Sequence, residues 1–192
     1  TPLSSGNQLS CALDSAGKAT CWGDNTIGIS PDVSFTKLAV GGYHVCGIGE
    51  LSDITCWGNN DYNQLNAPEG NFVDISSGHF HSCAVRDDGA ILCWGIDDGS
   101  SMDHSQVASY SSLDDSYTSV SAGLFHTCGL SSFGDVNCWG DGSYGQTTPP
   151  DNVVFQSISV GGYHSCGITI DNSLMCWGDN TYGQSVEALD DY

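Results

Sequence analysis

One cysteine-containing frame occurs five times in this 192-residue chain, and it constrains the fold more than any other feature. Two copies, GGYHVCGIGELSDITCWG and GGYHSCGITIDNSLMCWG, share a Gly-Gly-Tyr-His start, two cysteines and a Cys-Trp-Gly end. The copies occupy residues 6–23, 41–58, 78–95, 123–140 and 161–178. A period of about 38 residues indicates an array in which each repeat is one supersecondary unit.

The cysteine spacing fits a hairpin closed by a disulfide. In the third copy, CAVRDDGAILC, the loop Asp87-Asp88-Gly89 favours a three-residue turn with glycine in the left-handed position. Counting outward from this turn places Cys83 opposite Cys93 in a non-hydrogen-bonded pair, with Cα atoms about 4.5 Å apart. No pair has the close spacing of zinc ligands. We predict an oxidising compartment and five disulfides: Cys11–Cys21, Cys46–Cys56, Cys83–Cys93, Cys128–Cys138 and Cys166–Cys176.

Each repeat predicts three or four short strands and no helix. An apolar segment (FTKLAVG, NFVDISSG, YTSVSAG or FQSISVG) precedes the His-x-Cys strand, and a polar loop follows Cys-Trp-Gly. This pattern favours a propeller blade over a solenoid coil, which would need polar capping units. We predict an all-β, five-bladed β-propeller forming one domain, 1–192, with repeats at about 1–38, 39–75, 76–120, 121–158 and 159–192. Because TPLSSG is similar to the end of a lead-in strand, DISSG, we expect the N-terminal strand to close the last blade.

The frame Gly-x-x-His-x-Cys, hairpin, Cys-Trp-Gly and Asp/Asn-rich loop with Gly-Gln resembles the repeat of the regulator of chromosome condensation family. That superfamily also includes a secreted β-lactamase-inhibiting propeller. The resemblance implies a β-propeller, and members usually have seven blades. It implies no single activity, because such repeats occur in exchange factors, inhibitors, adhesive modules and scaffolds. The first repeat departs from the pattern, with Leu9 in the histidine position and Gly28-Ile29 in place of Gly-Gln.

The charge balance excludes two classes of partner. The chain has 23 acidic residues against Lys18, Lys37 and Arg86, and its formal net charge is −20. Such a surface repels phosphate backbones and anionic headgroups, so we expect neither nucleic-acid nor membrane-surface binding. It favours cationic partners and divalent metals. No apolar run is long enough for a transmembrane helix, so membrane insertion is not expected.

A tryptophan recurs in all five repeats and a histidine in four of them, which favours structural roles. We predict that His44, His81, His126 and His164 are buried and satisfy polar groups, with a metal-binding ring of histidines as the alternative. We predict that Trp22, Trp57, Trp94, Trp139 and Trp177 pack between blades, with sugar stacking as the alternative.

Neither a cofactor nor catalysis is predicted. The loops DNTIG, NNDYN, IDDGS, DGSYG and DNTYG bring together oxygens that calcium favours, but none matches the known calcium loop and Asx residues are ordinary turn formers. Calcium remains an alternative. Adjacent acidic pairs such as Asp87-Asp88 point to opposite faces of an extended chain, and no nucleophile motif occurs. We therefore expect the chain not to be an enzyme.

Aromatic residues and one insertion are the candidate partner-binding elements. Tyr43, Phe80, Phe125 and Tyr163 precede the repeated histidines, and Tyr62, Tyr144 and Tyr182 lie in loops. The insertion within residues 96–119 contains Asp103, His104 and Tyr110. The alternatives are that the aromatic residues only pack within the fold and that the insertion is a disordered loop without a partner.

The predicted function is an extracellular, non-catalytic scaffold or protein-interaction module. We expect it to associate with itself, through exchange of the N-terminal strand, or with an extracellular protein. A lectin-like propeller that binds glycans through several equivalent sites and a secreted protein inhibitor are the alternatives.

Overall fold

A computed structural model describes residues 3–24, 28–107 and 116–186. These residues form five three-stranded antiparallel sheets, which are the blades. The first three blades contain β1 (Leu3–Ser5), β2 (Leu9–Leu13) and β3 (Ala19–Gly23); β4 (Phe35–Val40), β5 (His44–Gly49) and β6 (Ile54–Gly58); and β7 (Phe72–Ser77), β8 (His81–Arg86) and β9 (Ile91–Gly95). The last two contain β10 (Tyr117–Ala122), β11 (His126–Ser131) and β12 (Val136–Gly140); and β13 (Phe155–Val160), β14 (His164–Thr169) and β15 (Leu174–Gly178). No helix in the described part of the chain is long and apolar enough to cross a bilayer.

The predicted hairpin and disulfides are confirmed. In the third blade Val85 pairs with Ile91 and Cys83 with Cys93, and Gly89 has a φ of 86°. All five cysteine pairs form disulfides within their own repeats, with Cα–Cα distances of 4.0 to 4.1 Å. The non-hydrogen-bonded register brings the two backbones this close.

Residues of all five blades line one central pocket of about 280 Å³. Each blade contributes the turn between its first and second strands, including Gly6, Gly42, Gly78, Gly123 and Gly162. Together with the five sheets and one disulfide per repeat, this arrangement confirms the predicted five-bladed β-propeller.

The hydrophobic core lies between neighbouring blades. Ile48 of the second blade, for example, is buried in one cluster with Phe72 and Trp94 of the third. Burying a side chain of this size stabilises the fold by about 1.5–3 kcal/mol. A blade therefore depends on its neighbours for most of its apolar burial.

The prediction that the N-terminal strand closes the last blade is wrong. β1 pairs with β2 of the first blade, with Ser5 opposite Ser10. The last blade has its own lead-in strand, β13, which pairs with β14. The local β1–β2 hairpin needs little loop closure, so it forms in preference to a pairing across the whole chain.

Candidate functional site

Histidines join three pairs of neighbouring blades. The Nε2 atom of His44 lies 2.7 Å from Ser82 Oγ, that of His81 lies 2.8 Å from Thr127 Oγ1, and that of His126 lies 2.9 Å from Ser165 Oγ. All six side chains are fully buried. The Nδ1 atoms of the three histidines have no hydrogen-bond partner within the described residues.

Burial keeps these imidazoles neutral. It lowers the pKa of His44 and of His126 from 6.5 to about 4. The pKa of His81 falls to about 3, because burial is complete and His44 and His126 lie nearby. The charged form of a buried imidazole is disfavoured unless an anion compensates it.

The junction between the first two blades uses an apolar pair instead. Leu9 occupies the histidine position and Val45 occupies the position of the facing hydroxyl, and both belong to one buried cluster. Because both partners are apolar, no polar group is left unsatisfied.

Tryptophans contact the preceding blade. Trp94, Trp139 and Trp177 are buried, and their indole N–H groups donate to the backbone carbonyls of Gln64, Gln106 and Gln146 at 2.8 to 3.1 Å. Trp57 is also buried, and its ring lies 5.4 Å from that of Phe35, but its Nε1 has no partner among the described residues. The first repeat has Ile29 where the others have this glutamine.

The first and last blades each have an uncovered face. Trp22 is 52% exposed, so the prediction that every tryptophan packs between blades is wrong for this residue. Ile168 of the last blade is 40% exposed, whereas Ile48, Val85 and Leu130 at equivalent positions are at most 4% exposed.

The glycines around the pocket also show that, within the described part of the chain, the last blade has no neighbouring blade on one side. A Cβ atom on Gly78 or Gly123 would lie within 2.5 Å of a glycine carbonyl in the next blade, whereas the atoms nearest Gly161 belong to its own His164. We call the surface with Leu3, Ser10 and Trp22 the first end face, and the surface with His164, Ile168 and Leu174 the last end face.

A continuous series of aromatic rings runs across four blades beside the central pocket. We call it the aromatic arc, and it comprises Tyr43, Tyr62, His79, Phe80, His104, Phe125, Tyr144 and Tyr163. The rings of Tyr43 and Phe80 are 5.9 Å apart, and His79 lies 5.2 Å from Tyr43 and 6.1 Å from Phe125. The series continues from Phe125 to Tyr163 at 6.2 Å. Loop rings join it: Tyr62 lies 4.9 Å from Phe80, His104 5.3 Å from Phe125, and Tyr144 5.6 Å from Tyr163.

Backbone hydrogen bonds hold the loops after Trp-Gly against the arc. The N–H groups of Asp141 and Asp179 donate to the carbonyls of Phe125 and Tyr163, at 2.8 and 2.9 Å. In the second blade Asn59 makes the same bond to Tyr43 at 2.9 Å. The carboxylates of Asp141 and Asp179 therefore belong to residues whose backbones are hydrogen-bonded to residues of the arc.

Those carboxylates stay ionised near neutral pH. Burial works to raise the pKa of Asp141, but hydrogen bonds from Ser143, with smaller effects of His104 and His126, lower it overall. The hydroxyl and N–H groups of Thr181 lower the pKa of Asp179.

The predicted partner-binding residues divide into four groups. Tyr43, Phe80, Phe125, Tyr163 and His104 are brought together in the arc. Asp103 lies in the loop beside His104 and accepts hydrogen bonds from Gly99 and Ser105. Tyr110 lies outside the described residues. Tyr182 is 91% exposed in the last loop.

Sequence reasoning missed His79, which joins both halves of the arc and lines the pocket. The available signal was the third repeat itself, which has His79 where the second and fifth repeats have glycine.

Within the described residues, no group of three or more His, Cys, Asp or Glu side chains could hold a metal ion. Asn59, Asp141 and Asp179 instead accept hydrogen bonds from backbone N–H groups two residues later. These are Asx turns, which explain the Asp and Asn content of the loops.

A family model agrees with the repeat pattern. The model of the regulator of chromosome condensation (RCC1) repeat matches residues 35–64, 72–100, 117–146 and 155–184. The chain belongs to the RCC1 repeat family. The first repeat of this RCC1-type propeller, which carries Leu9 and Ile29, lies outside the matched residues. No curated protein sequence matches the chain significantly.

Solved structures show the same fold. The CRINKLY ectodomain of the Arabidopsis thaliana receptor kinase ACR4 is 28% identical, with a TM-score of 0.79 over 93% of this chain and 72% of that one. The ectodomain of the Physcomitrella patens receptor kinase CR4 is 30% identical, with a TM-score of 0.76 over 92% and 49% of the two chains. Prp20p of Saccharomyces cerevisiae is 21% identical, with a TM-score of 0.70 over 89% and 56%. The RCC1-type chain thus spans about half the length of the second and third structures.

The fold is therefore shared with the ectodomains of two receptor kinases. The five disulfides agree with an extracellular or cell-surface location.

Proposed function

We propose that this RCC1-type propeller is an extracellular, non-catalytic protein-interaction module whose aromatic arc binds a partner protein. The observation that carries the proposal is the continuity of the arc, which connects rings from four blades on one side of the molecule. Tyrosine and phenylalanine are enriched in the cores of protein interfaces, where they bury large areas at low entropic cost.

The arc is built on a rigid base. Four of its rings immediately precede disulfide-linked strands, those of Tyr43, Phe80, Phe125 and Tyr163. Each loop after Trp-Gly that covers the arc is fixed by a backbone hydrogen bond. Contact groups that are ordered before binding lose little entropy on association. Exposure is concentrated at Tyr43 and Tyr144, which are 37% and 56% exposed, so these rings are available for contact.

The test is binding of the immobilised protein to a panel of purified extracellular protein domains and glycans. We expect a protein ligand whose affinity falls at least tenfold for Tyr144→Ala with Tyr163→Ala, because interface aromatics commonly contribute about 2 kcal/mol or more. Phe133→Ala is the matched control, since Phe133 is 66% exposed in the β11–β12 turn at the other end of the blade. Equal losses in both variants would contradict the proposal, and binding only to glycans would favour the lectin alternative.

Self-association through the end faces is a second candidate. The observation that favours it is that the two faces carry the two halves of an internal junction. His164 and Gln184 lie on the last blade, and Ser10 and Trp22 lie on the first, at the positions that pair within the molecule. A head-to-tail contact between two copies would be heterologous and would continue as a ring or a filament.

This candidate does not require strand exchange, because β1 is already paired with β2. Light scattering of the unreduced protein across a concentration series tests it. We expect oligomers in which iodide no longer quenches Trp22, and we expect Trp22→Ala to abolish them. A monomer at all concentrations would reject self-association and leave the role of the arc unaffected.

A further inference from the structure

We propose that the part of the aromatic arc on the fourth and fifth blades binds a basic, arginine-bearing peptide segment of the partner. This inference rests on the proposed function and adds the chemistry of the ligand. The surface consists of the rings of Phe125, Tyr144 and Tyr163 and the carboxylates of Asp141 and Asp179, and we call it the cation surface.

Consecutive repeats contribute the same pair of residues to the cation surface, an aromatic residue and an aspartate that are joined by a backbone hydrogen bond. Each of these two blades supplies an aromatic residue before its histidine and an aspartate whose N–H is bonded to the carbonyl of that aromatic residue. The Tyr163 ring lies 6.2 Å from Phe125 and 5.6 Å from Tyr144, so it is flanked on both sides. The second and third blades have Asn59 and Ile96 in place of the aspartate, which leaves the charge concentrated on the fourth and fifth.

No cationic side chain of the described residues neutralises this surface. The three basic residues lie toward the opposite ends of the blades, and each is already paired: Lys18 with Asp32 at 2.7 Å, Lys37 with Asp74 at 3.0 Å, and Arg86 with Asp88. The loops on the arc side carry further aspartates: Asp24, Asp61, Asp97, Asp98 and Asp103.

Two histidines at the arc add no positive charge to this surface at pH 7. Burial lowers the pKa of His79 and of His126, so these two imidazoles are neutral there. Asp141 is 8% exposed and accepts its hydrogen bonds from Ser143, which is uncharged. A carboxylate without a cationic partner attracts a cation that reaches this surface.

Arginine fits this arrangement better than lysine. Its planar guanidinium stacks on aromatic faces and donates to carboxylates at its edge, whereas a lysine ammonium is compact and more strongly hydrated. An extended peptide that alternates arginine with a small residue would present a guanidinium at every second position on one side. The net charge of −20 would also accelerate encounter with such a segment.

The structure suggests variants that remove charge without disturbing the loop. Asn59 occupies the same position in the second blade, bonds to Tyr43 as Asp179 does to Tyr163, and accepts a hydrogen bond from Gln64. The loop after Trp-Gly in the second blade thus already has an asparagine at this position, so we expect Asp141→Asn and Asp179→Asn to keep the loop conformation. Asp135→Asn is the charge-matched control, because Asp135 is exposed in the β11–β12 turn.

The experiment measures fluorescence anisotropy of short labelled peptides of alternating Arg and Gly, Lys and Gly, or Glu and Gly, titrated with the 192-residue chain. We expect the arginine peptide to bind more tightly than the lysine peptide, and the glutamate peptide not to bind. Tyr163→Leu should weaken arginine-peptide binding by about 3- to 30-fold, the range for a cation–π contact. Asp179→Asn should weaken it by about 5-fold or more through the lost charge, while Asp135→Asn and Phe133→Leu should change it less than 2-fold.

Three outcomes would overturn the inference. These are equal losses for Asp179→Asn and Asp135→Asn, an unchanged affinity for Tyr163→Leu, or binding of the glutamate peptide. Circular dichroism of each variant shows whether it is folded, and Asp141→Asn provides an independent variant if Tyr163→Leu is not. A protein ligand that binds the arc through a neutral segment would reject this inference but preserve the proposed function.

Discussion

The imidazole of His81 in the third blade lies 2.8 Å from the hydroxyl of Thr127 in the fourth, and neither side chain has any exposed surface. The same contact joins His44 to Ser82 and His126 to Ser165. A fully buried polar pair of this kind contributes modestly while intact, but a lone remaining partner is costly. The hydrogen bond therefore couples the stability of one blade to the residue type in the next.

Thr127→Val should lower the free energy of unfolding by about 1–3 kcal/mol, because the shape is retained while His81 Nε2 loses its partner. Urea denaturation at pH 7 measures the change. Thr20→Val is the control, since Thr20 is exposed on β3 and should tolerate the same substitution with a change within about 0.5 kcal/mol. Equal effects of the two substitutions would show that the His81–Thr127 hydrogen bond contributes nothing specific to the free energy of unfolding.

The double variant His126→Leu with Ser165→Val transfers the apolar pair Leu9–Val45 to another junction. We expect it to be closer in stability to the wild type than either single variant, because neither member of the His126–Ser165 pair is left without the other. The Gln146 carbonyl, to which Ser165 Oγ also donates, keeps the indole N–H of Trp177 as a donor. A double-mutant cycle gives the interaction free energy. If the free-energy changes of His126→Leu and Ser165→Val were strictly additive, the two side chains would not interact directly.

Stability should fall as the pH is lowered from about 6.5 towards 4. The pKa of His44 and of His126 is about 4 in the folded state, below the ordinary 6.5, so the unfolded chain binds more protons in this interval. The free energy of unfolding then rises with pH and decreases on acidification. The variant His126→Leu with Ser165→Val has one buried imidazole fewer and should show a shallower dependence. Denaturation midpoints at a series of pH values test this, and equal slopes for both proteins would refute it.

The repeats made the fold predictable. Cys83 and Cys93 flank a turn whose Gly89 fixes the register, so the disulfide and the two strands followed from counting alone. Five copies of the frame then specified five blades. The error concerned β1, because a short sequence similarity between Ser4-Ser5-Gly6 and a lead-in strand does not say which sheet the strand joins.

The candidate site was only partly predictable. Recurrence showed which aromatic residues precede each histidine, but recurring residues are expected to pack, and sequence alone could not separate the arc from the core. His79 occurs in one repeat only and so carried no periodic signal. The exposure of Trp22 could not be read from the frame either, because it depends on whether the first and last blades cover one another.

The Cys166–Cys176 disulfide should be reduced before the disulfides of the interior blades. Cys166 is half-buried on the last end face, whereas Cys46, Cys83 and Cys128 have no exposed surface because the next blade covers them. Limited treatment with a reductant, alkylation and peptide mapping identify the order. Preferential reduction of Cys83–Cys93 would contradict the proposed exposure of the last end face.

Gln64 and Gln146 offer a comparison of two buried side chains that differ in one hydrogen bond. Both accept an N–H at Oε1, from Tyr62 and Tyr144 respectively, at 2.8 Å. Gln64 Nε2 also donates to Asn59 at 3.1 Å, whereas Gln146 Nε2 has no partner in the described structure. Gln64→Met should therefore destabilise the protein by about 1 kcal/mol more than Gln146→Met, because only the first substitution removes a second hydrogen bond. Thermal and urea unfolding of the two variants measure the difference, and equal losses would indicate that a bound water satisfies Gln146 in solution.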